Sequence, residues 1–229
     1  MKYIIKLLKS LKILLLLLVP YLITITSTYI YVKITNNTIK NFINNYLIYI
    51  TIITYIIMII YLIKKYKIKY KKLSLSLYYS YLSLGISISC ILNMVIFLFS
   101  KSETNININV FLLFISSSII GPIFEEIIFR YLFYNKLKEF NSVKISIVIT
   151  TLFFSIIHIN IIKICYAFIL GLIVNIKYEK TNNILSPILI HIGANTISLF
   201  LDNYSSNILL LAILLLITAI KVDNTILDK

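Results

Sequence analysis

Two glutamates and an arginine stand where this chain is otherwise apolar: Ile119-Ile120-Gly121-Pro122-Ile123-Phe124-Glu125-Glu126-Ile127-Ile128-Phe129-Arg130. Only eight acidic residues occur among the 229, and two of them sit side by side here. An ionisable group at membrane depth is costly unless it is matched, so it marks a functional site by default. Glu126 and Arg130 are four apart, so they share a helix face and can pair. Glu125 lies about 100° round the helix and is not matched by that arginine. A carboxylate in an ion pair is read as structural, whereas its neighbour in a dry setting suits a general acid or base. Gly121-Pro122, just before the pair, is a candidate bend that aims it inward.

The chain has two histidines, and both lie in apolar runs. His158 ends Phe154-Ser155-Ile156-Ile157-His158, and His191 opens His191-Ile192-Gly193-Ala194-Asn195. His191 and Asn195 are four apart and face the same way on one helix. Gly193 between them allows close approach of another helix. Each of these residues alone has a plainer reading. The Glu126–Arg130 pair is a structural ion pair, and a lone histidine or asparagine in a span most often joins helices by hydrogen bonds. The combination is what points to chemistry.

The elements that must carry these groups are eight apolar runs. Seven approach the ~20 residues that a spanning helix needs. They are Ile13–Val32, Leu47–Ile63, Leu77–Phe99, Val110–Phe133, Ile145–Ile162, Ile184–Leu201 and the shorter Asn207–Ile220. The eighth, Ile164–Ile176, is too short for an easy span and reads as tilted, buried or re-entrant. The count is therefore seven or eight. The first run, preceded by Lys2, Lys6, Lys9 and Lys12, has Pro20 and no small-residue cleavage site, so it reads as a retained span.

Eight spans with both termini in the cytoplasm place seventeen lysines on one side and four on the other. That asymmetry is what orients a multi-span protein. Counted from the cytoplasmic ends at about 1.5 Å per residue, Glu125 lies about 13 Å deep and His158 about 20 Å deep. On the same scale His191 lies about 10 Å deep and Asn195 about 16 Å deep. Four polar groups on three runs thus fall in one membrane layer, as a single water-accessible site requires.

Composition agrees with this class. With 60% hydrophobic residues and a mean hydropathy of +0.96, the chain is an all-α, polytopic membrane protein with a buried polar site. The net charge of +14 lies in lysines between apolar runs, not along one amphipathic face, which argues against nucleic acid as a partner. The lysine run over 64–72 reads as an orienting loop that touches anionic lipid. Cys90 and Cys165 both lie in apolar runs and read as buried, inert thiols. Tyrosines such as Tyr46, Tyr49 and Tyr61 read as interface anchors. No linker, internal repeat or second domain is visible, so 1–229 reads as one transmembrane domain.

At Glu125-Glu126-x-x-x-Arg130, Phe154-x-x-x-His158 and His191-x-x-x-Asn195, in that order over about 70 residues, the chain resembles a known family. It is that of the CAAX-processing and bacteriocin-processing intramembrane endopeptidases, the Abi or CPBP family, which are type II CAAX prenyl endopeptidase-like. The motifs fall within 110–201, and the first three runs carry none. The resemblance implies an eight-helix fold whose site opens to the cytoplasm. It implies that Glu125 and His158 activate a water, that His191 and Asn195 stabilise the oxyanion, and that Glu126 and Arg130 hold the helix. The physical reading is similar, because peptide hydrolysis needs an activated nucleophile and a preorganised donor.

Metal use stays open at this point. Glu125, His158 and His191 could form a three-ligand zinc site with an open fourth position, and the family is commonly labelled metalloprotease. Direct water activation needs no metal and is slightly favoured. Composition and compact form suggest integral location in a bacterial cell membrane, and the resemblance implies a membrane-associated protein or peptide substrate. Peptide maturation and bacteriocin self-immunity are the two uses it suggests. The alternatives are a catalytically silent scaffold or immunity protein of the same fold, and a proton-coupled transporter, which would call for repeat symmetry that the sequence lacks.

Overall fold

Apolar runs of this length can satisfy their backbone in lipid by forming helices. The computed structural model describes residues 2–97, 109–200 and 206–227, and among these every regular element is helical. The first elements are α1 (Lys2–Leu14), α2 (Leu18–Thr35), α3 (Ile39–Asn45) and α4 (Leu47–Tyr66). Then come α5 (Leu75–Phe97), α6 (Val110–Leu113), α7 (Gly121–Glu126) and α8 (Asn135–Lys138). The last are α9 (Val143–Ile156), α10 (Ile161–Thr181), α11 (Leu185–Phe200) and α12 (Ser206–Leu227).

Among the described residues, five stretches are long and apolar enough to cross a membrane: Tyr3–Thr35, Leu47–Tyr66, Leu75–Val95, Val110–Lys138 and Ile161–Thr181. Val143–Ile156, Leu185–Phe200 and Ile208–Lys221 are apolar but shorter. This is an integral membrane protein, and two sequence expectations about its spans are corrected. The segment expected to be too short, Ile164–Ile176, belongs to a 21-residue helix, because polar residues at both ends extend it. Conversely, the run expected to span Ile145–Ile162 stops at Ile156. It stops because Asn160 starts the next helix: its Oδ1 accepts from the N–H groups of Ile162 and Lys163 at 3.0 and 3.2 Å.

The chain divides into two compact units. The first comprises Met1–Ile68 and Thr104–Phe140. In it α1 and α2 run on through a tight 3₁₀ turn at Leu15–Leu17, just ahead of Pro20. Pro20 has no N–H to give the preceding turn, and its ring crowds the carbonyl four residues back, so the helix tightens there. The core of this unit joins Met58 and Leu62 of α4 to Phe124, Ile127, Ile128 and Leu132.

The second unit comprises Lys69–Glu103 and Asn141–Lys229. Its core is formed by Leu77, Tyr81 and Ile88 of α5, Leu170 and Val174 of α10, and Ile190 and Ala194 of α11. Gly85 and Gly193 bring α5 and α11 into backbone contact. A Cβ on Gly85 would overlap the Ile190 carbonyl, and one on Gly193 would overlap that of Leu82. The close approach expected at Gly193 is thus present, with Gly85 as its counterpart. Hydroxyls then bond across the crossing. Ser89 Oγ donates to the Ala194 carbonyl at 2.9 Å, and Tyr166 Oη donates to Ser89 Oγ at 2.9 Å. On α12, Ser80 Oγ reaches the Ala219 carbonyl at 2.8 Å. Asn183 holds the end of the lysine-rich loop through both its amide atoms, on the N–H and carbonyl of Lys71.

The two thiols part company. Cys90 is buried as expected, but Cys165 is exposed, because α10 turns that face outward from the protein.

Candidate active site

In the first unit, Val110–Lys138 is one helical path that widens twice. Phe114–Ile120 and Ile127–Tyr134 are π-helical, and α7 with the two glutamates lies between them. The cause of the first widening is local. Pro122 cannot donate to the turn before it, and the Gly121 N–H reaches five residues back to the Ser116 carbonyl. A Cβ at Gly121 would stand 3.0 Å from that carbonyl oxygen, so the residue without one is the best fit. Single π-helical turns of this kind are frequent at functional sites.

The two glutamates differ as their spacing predicts. Glu126 and Arg130 are both at 0% exposure and pair at 2.9 Å, Arg130 Nη1 to Glu126 Oε1. Glu125, one position round, is half-buried. Its charge also bears on Arg130, as a second one beyond Glu126. Two residues that sequence reasoning did not single out accompany it. Tyr21 of α2 and Tyr55 of α4 both lie within electrostatic reach of the Glu125 carboxylate. No spacing rule links them to it, since they come from other helices.

In the second unit, the helix placement expected for His158 is corrected. It lies in the turn after α9, where its N–H donates to the Ser155 carbonyl at 3.1 Å. Ile159 follows at φ 60°, the left-handed region, which a β-branched side chain rarely adopts. The Asn160 N–H then donates to the His158 carbonyl at 2.6 Å. A strained residue beside a candidate catalytic group is where such strain tends to be kept.

His191 lies within α11, at 3% exposure, and Asn195 is half-buried one turn further on. The structure brings His158 and His191 together against one ring. Phe154, itself buried, lies 5.5 Å from the His158 ring and 5.6 Å from the His191 ring, edge-on to the latter at 83°. The motif residue Phe154 thus serves as a wall for both imidazoles. The remaining buried face of α9 is hydroxyl-rich: Ser146, Thr150, Thr151 and Ser155. Thr151 Oγ1 accepts from Asn175 Nδ2 at 2.8 Å and fastens α9 to α10.

Three His, Cys, Asp or Glu side chains do not come together as metal ligands in either unit, among the described residues. The first unit offers the Glu125–Glu126 pair, with Glu126 engaged by Arg130. The second offers two imidazoles.

Comparison with known proteins bears on this stretch of the chain. Residues 107–197 match the family model described as type II CAAX prenyl endopeptidase Rce1-like. A Bacillus subtilis protein named "Putative membrane peptidase YdiL" is 34% identical over 85 residues. That alignment covers 37% of this chain and 35% of the other, so the chain spans about a third of the length of this curated relative. No solved structure matches it. The residues matched by the family model include all three motifs, with the carboxylate pair on its widened helix and the histidines around Phe154, so 107–197 is similar to the Rce1-like type II CAAX prenyl endopeptidases.

Proposed function

We propose that the protein is an intramembrane endopeptidase that hydrolyses a peptide bond of a membrane-associated protein or peptide. Glu125 takes a proton from water, with His158 orienting that water, and the hydroxide attacks the scissile carbonyl. His191 and Asn195 donate hydrogen bonds to the oxyanion that develops. The proton passes to the leaving amine as the C–N bond breaks, giving a new carboxyl and a new amino terminus. Glu126 and Arg130 hold the helix that presents Glu125. Direct activation of water by a carboxylate and an imidazole needs no metal, and no step is routed through one. The substrate approaches from the cytoplasmic side, where both chain termini lie, and peptide maturation or bacteriocin self-immunity would use such an activity.

The observation that carries this reading is the contrast within the glutamate pair. A purely structural pair of charges would have no use for a second carboxylate. Here Glu126 is at 0% exposure on its arginine while the adjacent Glu125 remains half-buried. The reading is tested by comparing membranes holding wild type with membranes holding Glu125→Gln, at matched expression, and cataloguing new protein termini by mass spectrometry. Termini that appear with wild type alone are the expected result, and they name the substrate. Identical profiles, with a phenotype that survives the substitution, would replace this reading with that of a silent scaffold or immunity protein.

A further inference from the structure

Between α5 and α10, within the second unit, runs a groove of about 200 Å³ lined by Leu84, Ile173, Ile176, Lys177 and Lys180. On α10 these residues recur at i, i+3, i+4 and i+7, which is one face of the helix. Toward Lys180 that face turns from apolar to cationic over about 10 Å, at about 1.5 Å per residue. The start of α5 and the end of α10 meet at this level, since Lys177 Nζ lies 5.3 Å from the centre of the Tyr81 ring. The backbone of Lys71 is bonded to Asn183, so the exposed Lys71 and Lys72 belong to the same end. Lys177 is the unusual member. A lysine that only orients a span stands in water. This one is 9% exposed, with its ammonium over an aromatic ring, and it still lines the groove. Lys180, one turn further out, is exposed. Glu179 lies about 200° round the helix from Lys177, on the opposite face, and no carboxylate is among the groove's lining residues.

We propose that this groove seats one phospholipid of the surrounding membrane whose headgroup is anionic. Its phosphate stands between Lys177 and Lys180, and the upper part of one acyl chain lies against Leu84, Ile173 and Ile176. Apolar first and cationic toward the helix end, the lining follows the order of such a lipid from chain to headgroup. Basic pockets between spanning helices are a recurrent way of holding anionic lipid. The groove has room for part of one chain, so the rest of the lipid stays in the bilayer. The seat is a property of the membrane-embedded chain, whether or not that chain cleaves peptides.

The chain has no tryptophan, so a single one placed in the groove reports from there alone. Ile176→Trp, at an exposed position, supplies it. Ile53→Trp, exposed on α4 among uncharged neighbours, is the reference. The full chains are reconstituted in phosphatidylcholine vesicles with a minor share of phosphatidylglycerol. Bromine, which quenches tryptophan emission, is carried on the acyl chains of the phosphatidylglycerol or of an equal share of the phosphatidylcholine. At Ile176→Trp, phosphatidylglycerol should be enriched about fivefold for each lysine engaged, and at Ile53→Trp hardly at all. Adding Lys177→Gln or Lys180→Gln to Ile176→Trp should each remove about that factor. The exposed Lys180 serves alone if Lys177→Gln does not accumulate. Equal enrichment at both tryptophans would overturn the proposal, as general attraction to a chain of net charge +14. Enrichment that survives the lysine substitutions would overturn it as well. So would loss of enrichment on adding inorganic phosphate at matched ionic strength, which would make the groove a site for a free anion.

Discussion

The unit that holds the glutamates and the unit that holds the histidines solve the same problem by different physics. In the first, a buried charge pair fixes the helix, and the helix is widened on either side of it. In the second, two glycines let backbones touch, and an aromatic ring sets the imidazoles. Charges act over distance but must be matched in number. Backbone contact has no tolerance for volume. The two units should therefore fail differently, and the sharpest demonstration is at the ion pair. Arg130→Met leaves Glu126 charged and without its guanidinium at 0% exposure, and should cost about 3–5 kcal/mol. Replacing both partners with apolar residues, Glu126→Leu with Arg130→Met, should recover most of that loss. Thermal unfolding in detergent of the single and double variants checks it. Equal losses in both would mean that the pair's geometry, not its charge balance, holds the helix.

At the glycine crossing the order of effects reverses: polarity matters little and a single methyl matters much. Gly193→Ala puts a Cβ onto the Leu82 carbonyl, and Gly85→Ala puts one onto the Ile190 carbonyl. Backbone atoms cannot swing aside as side chains do, so α5 and α11 must separate. Overpacking of this kind costs about 1–3 kcal/mol. Because His191 and Asn195 flank Gly193, the same change should lower proteolysis more than stability. A matched control is Gly121→Ala in the first unit, where the added Cβ meets Ser116 at 3.0 Å and should be milder. Unfolding midpoints of the three variants, measured side by side, rank them.

The local features of both units were legible in the sequence, and the features made by several helices were not. Long apolar runs have few structures open to them in lipid, so the all-α membrane class followed from composition. The Glu126–Arg130 pair followed from four-residue spacing, which is a property of one helix. Gly193 could be read as a close approach, but its counterpart Gly85 is about a hundred positions away, and no local pattern joins them. Tyr55 stayed hidden for the same reason. The turn at His158 was missed because Ile156-Ile157 and Ile161-Ile162 make the run look continuous to any hydropathy measure. Asn160, a good N-cap placed before Ile161, was the available signal. Cys165 was misjudged because an apolar run does not tell a lipid-facing side from a buried one.

That turn supplies the smallest expected effect and the finest distinction between the units. Ile159 is at φ 60° and 90% exposed, so its side chain contributes little burial while its backbone is strained. Ile159→Gly removes a penalty of about 1–3 kcal/mol. It also adds freedom to the unfolded chain, which offsets up to about 1 kcal/mol of that. The net expectation is unchanged or slightly raised stability, by about 1 kcal/mol, the opposite sign from every substitution above. Turnover should nevertheless fall, because His158 precedes this residue and its carbonyl is tied to Asn160 across it. A stable but slow Ile159→Gly variant would show that the turn holds His158 at the expense of stability. A variant as fast as wild type would move that role to the Phe154 ring, which still confronts both imidazoles.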